Sequence, residues 1–266
     1  MGLTIAMAGA TSFEWLRLFL LLGSLLAGSL PGWAKGSTNF LESGGGMEIR
    51  ADIPAALKTY DRAQRTNWNN AKELCGLARR YCDLAYLTKA PAVQKDVVAR
   101  ALECSLRAAD LDSNNATAHA CVAVCYAKSC DFADIRTKLD YSRNLKRAAE
   151  EAIALDPKQD IAYYLLGRWH YGVANVGLWS RAYVKLVYGG LPQASNAEAI
   201  VNIRKAITLA PDRIIYHAGL ATVYRTTGER RLELAELEKC RDLKPQGLED
   251  EEARRDAVKE LAAWGR

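Results

Sequence analysis

The sequence predicts an all-α protein, a solenoid of stacked helical hairpins, on three observations. From Met47 onward apolar residues recur at spacings of three and four, the period of a helix, and no stretch alternates as a strand would. One phrase is repeated: Ala152-Ile153-Ala154-Leu155-Asp156-Pro157 runs into Ile161-Ala162-Tyr163-Tyr164-Leu165-Leu166-Gly167-Arg168-Trp169-His170. It returns as Ala206-Ile207-Thr208-Leu209-Ala210-Pro211 before Tyr216-His217-Ala218-Gly219-Leu220-Ala221-Thr222-Val223-Tyr224, with a fainter copy at 108–126 and a closing one at 240–245. Finally, Pro211 and Pro245 stand 34 residues apart.

That spacing is the tetratricopeptide period. The sequence therefore predicts a tetratricopeptide-like helical-hairpin solenoid with lengthened intra-repeat turns and a C-terminal capping helix. One hairpin cannot bury its apolar face alone, so neighbours stack into a continuous core. The 266 residues are long enough for such an array, and half of them are hydrophobic.

Taken in order, residues 1–34 differ from the rest. Arg17 precedes Leu18 to Leu30, an uncharged and mostly apolar run that suits a signal peptide and is short for a bilayer-spanning helix. Pro31-Gly32-Trp33-Ala34 supplies small residues for a cut after Ala34. Counted back to Phe13, the segment 13–30 reads instead as an uncleaved membrane anchor, and both readings stand. Cleavage gives an exported, periplasmic or secreted domain; retention gives a membrane-anchored one with the helical domain cytoplasmic. The composition of residues 35–46 reads as a flexible Gly/Ser linker, and 47–266 is expected to be the helical domain.

Pro54 opens a helix carrying Ala56, Leu57, Tyr60 and Ala63, and the next carries Trp68, Ala71, Leu74, Cys75, Ala78, Tyr81, Cys82 and Ala85. Pro91 breaks the chain before Val97, Ala101, Leu102, Ser105 and Ala108. Against the tetratricopeptide register, the turns of the first three hairpins are longer by about eleven, ten and twenty residues. The third insertion, 172–196, places Val176, Trp179, Tyr183, Leu186 and Val187 on one helical face, expected to cap exposed core or to close a ligand groove. Small residues mark the close approaches: Gly167, Ala199 and Ala206 in the third hairpin, Ala221, Gly228 and Cys240 in the fourth, where Glu233 stands in place of a small residue. At the end of the chain Ala253, Ala257, Leu261 and Trp264 form a stripe opposite Glu249, Asp250, Glu251, Glu252, Arg254 and Arg255, the pattern of a capping helix with a polar outer face.

The net charge of +5 is spread over helices that also carry Glu and Asp, which points away from nucleic acid. The seven cysteines form no CxxC pair and only three histidines exist, so zinc spacing is absent. The cysteines read as core residues, although Cys121 and Cys125 share a helix face that could bind a soft metal or pair, and export would allow one disulfide involving Cys75, Cys82 or Cys104, the odd count leaving at least one free thiol. GxSxG, HExxH and phosphate-loop motifs are absent. His119, His170 and His217 fall at or near equivalent repeat positions, which suggests packing. No catalytic residue, metal or cofactor is assigned.

One resemblance is more specific than the repeat. Ala133-Asp134-Ile135-Arg136, the run from Ala148 to Pro157, and Leu165-Leu166-Gly167-Arg168-Trp169-His170-Tyr171 resemble the regulator-of-microtubule-dynamics family. So does Gly190-Leu191-Pro192-Gln193-Ala194-Ser195 before Ala199, and the likeness covers roughly residues 56–245. It implies a tetratricopeptide-like domain behind an N-terminal membrane segment, association with microtubules and, in one branch, organelle tethering with a phospholipid held in the helical concavity.

The leading expectation is a non-catalytic binding scaffold that presents a concave groove to a protein or peptide. Arg79, Asn115, Arg168, Asn175, His217 and Arg225 are the polar groove candidates, with Trp169, Trp179 and Tyr183 as aromatic ones. The alternative is a membrane-associated regulator of microtubule dynamics or a lipid-binding tether; an enzyme is the remote third.

Overall fold

The computed structural model describes residues 53–265, which form eleven α-helices and no strand. The signal peptide or anchor expected at 1–34 and the linker at 35–46 lie outside the described residues. The first helix, α1 (Ile53–Thr66), leads into a hairpin of α2 (Ala71–Leu87) and α3 (Pro91–Leu111). The second hairpin is α4 (Ala116–Ser129) with α5 (Ile135–Leu155). The third is α6 (Asp160–Ala174) with α8 (Asn196–Leu209), and α7 (Leu178–Tyr188) is inserted between them. The fourth is α9 (Ile214–Thr227) with α10 (Arg230–Asp242), and α11 (Leu248–Ala263) follows.

Local chemistry sets the helix ends. Asn70, Asn115, Asp134 and Ser195 accept first-turn amides of α2, α4, α5 and α8, satisfying donors a helix start otherwise leaves open. Pro91 opens α3, where its missing N–H is no loss. α5 stops before Asp156-Pro157 and α8 before Pro211, because proline cannot continue a helix.

The residues added to the first two hairpins are drawn into helix. α3 and α5 each run 21 residues, against 14 in α8 and 13 in α10. Neither holds a glycine or an internal proline, so nothing interrupts them. The second hairpin has a single 3-10 turn, Cys130–Phe132, between its helices, and the third carries a whole inserted α-helix.

Close approaches depend on glycine at two positions. A Cβ on Gly167 would lie 2.6 Å from Ile203 Cγ1 and 3.0 Å from the Ala199 carbonyl, and one on Gly219 would lie 2.7 Å from the Tyr164 ring. Gly228 serves otherwise: nothing lies within 4 Å of its Cβ position, and it ends α9 at φ 81°, a conformation that favours glycine. Glu233, the misfit in the repeat pattern, is buried and paired with Arg225 at 2.6 Å and Arg230 at 3.1 Å.

The core runs in three joined clusters. Tyr81, Leu74 and Val97 centre the first over α1 to α4; Leu145, Trp169, Ile203 and Tyr216 centre the second over α4 to α9. Ile214, Ala221, Leu237, Cys240, Ala257 and Leu261 form the smaller third, against which α11 packs. All seven cysteines are free and buried.

One face is turned opposite to the sequence expectation, and a second departs from it in part, its stripe of Ala253, Ala257 and Leu261 facing the core as expected. On α7, Ser180 and Val184 are seated against the protein while Trp179 and Leu186 are 81% and 86% exposed. The reason is Arg181, whose guanidinium donates to the Val173 and Ala174 carbonyls at the end of α6 and so fixes the helix rotation. On α11, Glu249 and Asp250 are buried, so part of the acidic face points inward.

Candidate partner-binding face

The first helices of the hairpins touch in sequence, α2 with α4, α4 with α6 and α6 with α9, and their shared side is the inner face of the solenoid. Onto it comes the first turn of α11. Asp250 is locked there: its carboxylate accepts the Ile215 amide at 3.1 Å and the Gln246 amide at 3.0 Å, with the Arg213 guanidinium 3.5 Å away. Glu249 lies 3.8 Å from Lys128 of α4. Glu252 accepts a hydrogen bond from the Tyr86 hydroxyl of α2 at 2.6 Å.

The electrostatics follow from this burial. Glu249 has its carboxyl pushed up to about 8 by burial, against the pull of Lys128. Burial likewise raises Asp131 to about 7 and raises Asp83, with Lys128 near both. Arg213 is lowered by burial despite Asp250 beside it. The inner face is thus a low-dielectric site where Lys128 and Arg213 meet carboxylates from several elements.

The sequence candidates fall into separate places. Asn115 is the cap of α4. Asn175 bonds the Tyr171 carbonyl at 2.8 Å and Asn196 at 2.6 Å, tying the end of α6 to α8. His217 is buried between Glu236 at 2.5 Å and the Pro211 carbonyl at 2.8 Å. His119 repeats that lock with the Ser113 carbonyl at 2.8 Å and Glu151 at 3.0 Å, so these two are equivalent packing residues and His170 is not their counterpart. Arg225 bridges Glu233 and Glu260, and Arg79 is beside Asp83.

Arg168 and Trp169 do meet, in a cavity under α7 bounded also by Ser142, Val184 and Leu191. Trp169 donates to Ser142 Oγ at 2.9 Å, and Arg168 bonds the Tyr164 hydroxyl at 3.0 Å. The cavity encloses about 30 Å³, room for one water, whereas ligand sites run to roughly 300–1,000 Å³. Trp179 and Tyr183 stand outside on α7. The residues of the inner face that sequence reasoning missed, Tyr86, Lys128 and Arg213, are single polar positions among apolar ones, a pattern that carries no periodic signal. Among the described residues no group of His, Cys, Asp and Glu is arranged to hold a metal ion, and no helix is long and apolar enough to cross a membrane.

Residues 42–265 match the family model described as regulator of microtubule dynamics protein 1-3. The chain is 30% identical over 137 residues to regulator of microtubule dynamics protein 1 of Mus musculus, covering 51% of this chain and 45% of that one. The Bos taurus protein of the same name is 27% identical over 199 residues, with 73% and 62% covered. These matches span about half to three-fifths of the relatives' length. A thermophilic TPR protein of Thermus thermophilus superposes with a TM-score of 0.56 at 18% identity, over 82% of this chain and 97% of that one, a likeness of fold.

Proposed function

The chain belongs to the regulator of microtubule dynamics family, and from that premise we propose that it is a non-catalytic scaffold whose inner face takes a segment of a partner protein. Family and fold both fit a helical protein-interaction scaffold. The observation that carries the finer reading is that this face already holds a protein segment, with Glu252 of α11 bonded to Tyr86 of α2. A surface that receives one helix start through Tyr86, Lys128 and Arg213 has the chemistry to receive another. Selection of binders from a displayed peptide library, followed by hydrogen exchange on the full chain, tests this. Protection of α2, α4 and α9 supports it; binders that protect only α7 or the outer helices α3 and α5 overturn it.

A second reading is action on microtubule dynamics at a membrane surface. It draws on the relatives' name and on α7, where exposed Leu178, Trp179 and Leu186 beside Lys185 resemble an interfacial helix. Co-sedimentation with polymerised tubulin and flotation with anionic vesicles test the two halves of it. The N-terminal residue of the protein from its host separates cleavage after Ala34 from a retained anchor at 13–30.

A further inference from the structure

We propose that the segment taken by the inner face is acidic, and that the first turn of α11 is its resident competitor. This rests on the scaffold reading above and names the partner class. The receiving groups come from three hairpins: the Tyr86 hydroxyl on α2, Lys128 on α4 and Arg213 before α9. The other carboxylates nearby have counterparts of their own. Asp83 has Arg79 and Arg80 besides Lys128, Asp131 has Lys138 besides Lys128, and Asp160 accepts from Tyr216 at 2.6 Å. Lys128 and Arg213 are the cations that the start of α11 answers, and it answers them with Glu249 and Asp250.

The answer is imperfect. Arg213 is 4% exposed and is held by the Asp250 carboxylate at 3.5 Å and the Tyr216 ring at 5.6 Å, yet none of its three guanidinium nitrogens makes a hydrogen bond. Glu249 Oε1 is also buried without a hydrogen bond, and its 3.8 Å separation from Lys128 exceeds bonding range. Buried groups left in this state oppose closure. The cause is geometric: α11 is pinned further along by Ala257 and Leu261 in the third core cluster, and its rigid first turn cannot also place both carboxylates. A carboxylate on an incoming chain has no such anchor and can form the missing bonds. The chain enters α11 through Pro245 and Gly247, so its first turn can open locally while Ala257 and Leu261 stay seated.

The test uses the full chain, its Glu252→Gln variant, and three labelled peptides of equal length, one acidic, one neutral and one basic. Glu252→Gln weakens the resident contact while leaving Tyr86, Lys128 and Arg213 in place. The acidic peptide is expected to bind this variant about tenfold more tightly than the unaltered chain, to protect α2, α4 and α9 from hydrogen exchange, and to lose that gain when Lys128→Gln is added. Should the double variant fail to fold, high salt replaces it and is expected to weaken the acidic peptide selectively. Equal affinity of the acidic peptide for both chains overturns the competitor role. Equal protection by the neutral or basic peptide overturns the acidic class and leaves the scaffold standing. Protection of the inner face by none of the three, in either chain, overturns the scaffold reading as well.

Discussion

The Tyr86 hydroxyl donates to the Glu252 carboxylate across 2.6 Å of space and 166 positions of chain. Stacked repeats normally communicate only with their neighbours, whereas this bond joins the first hairpin to the last helix. Ala253, one residue on, packs against the large central core. The array is closed on itself at its inner face, and opening one end should be felt at the other.

Tyr86→Phe removes that bond and leaves Glu252 half-buried without it. The expected loss is about 1–3 kcal/mol of stability, with faster hydrogen exchange in both α2 and α11 while α5 is unchanged. Exchange that rises in α2 alone would show that the two ends are not coupled.

Glu249 gives the protein a pH dependence of defined sign. Its carboxyl rises from 4.5 to about 8 through burial, with Asp83 and Asp250 adding to the rise and Lys128 and Arg213 opposing it. Below 4.5 the folded and unfolded chains both hold the proton. Between 4.5 and about 8 the unfolded chain ionises first, so this group's contribution falls as pH rises and then levels off. Asp131, raised to about 7, acts in the same direction. Glu249→Gln is therefore expected to gain stability over the unaltered chain above pH 8 and to flatten the profile across the window, measured by urea midpoints. A variant less stable at every pH would mean that the Lys128 attraction outweighs burial.

Gly167→Ala and Gly228→Ala separate the two uses of glycine. The first places a methyl 2.6 Å from Ile203 and 3.0 Å from a backbone carbonyl, forcing α6 from α8, at a cost of about 1–3 kcal/mol. The second meets open space and costs only the strain of φ 81°, about 1 kcal/mol. Valine at each position discriminates further: the cost should grow steeply at 167 and little through packing at 228. Equal penalties at both sites would contradict the close approach.

These cases show which features a one-dimensional pattern carries. Helix ends at Asp156-Pro157 and Pro211, the close contact at Gly167 and the stripe on α7 were legible because each depends on residue type and local spacing. The direction in which the α7 stripe points was not, since it is set by Arg181 reaching the end of a different helix. At a fixed repeat length the extra residues of the first hairpins read as turn; the lack of any breaker in 91–111 and 135–155 is the signal that they extend the helices. The polar groove candidates occupy positions on first helices, and most are caps or ion-pair locks. Tyr86 and Glu252 become a pair only when the solenoid curls, and nothing in either neighbourhood announces the other.

The cysteines are expected to behave as core. All seven are buried; burial pushes the Cys104 and Cys130 thiols up to about 12, whereas hydrogen bonds from Cys121 and Cys82 hold the Cys125 thiol below its usual value, so lack of access is what withholds them from reaction. A disulfide-exchange reagent should modify the native described domain slowly and release all seven equivalents only with unfolding. Rapid native labelling of Cys121 or Cys125 would show that the first hairpins breathe enough to expose a thiol.

Trp169 and Trp179 are ten positions apart and sit in opposite surroundings. Trp169 is 2% exposed with its indole N–H bonded to Ser142, and Trp179 is 81% exposed on α7. Trp179→Ala should change stability by less than about 0.5 kcal/mol, since little of the ring leaves the core. Trp169→Ala empties a cavity in the central core and should cost about 3–5 kcal/mol. In variants that keep one of the two rings and replace the remaining tryptophans with Phe, iodide should quench Trp179 readily and Trp169 hardly at all. Vesicles then read the surface directly: a blue shift of Trp179 on adding anionic lipid supports the membrane reading of α7. A spectrum unmoved by lipid but shifted by a bound protein assigns that face to a second protein contact. Equal quenching of the two rings in the isolated protein would mean that α7 is seated differently, with Arg181 no longer holding the end of α6.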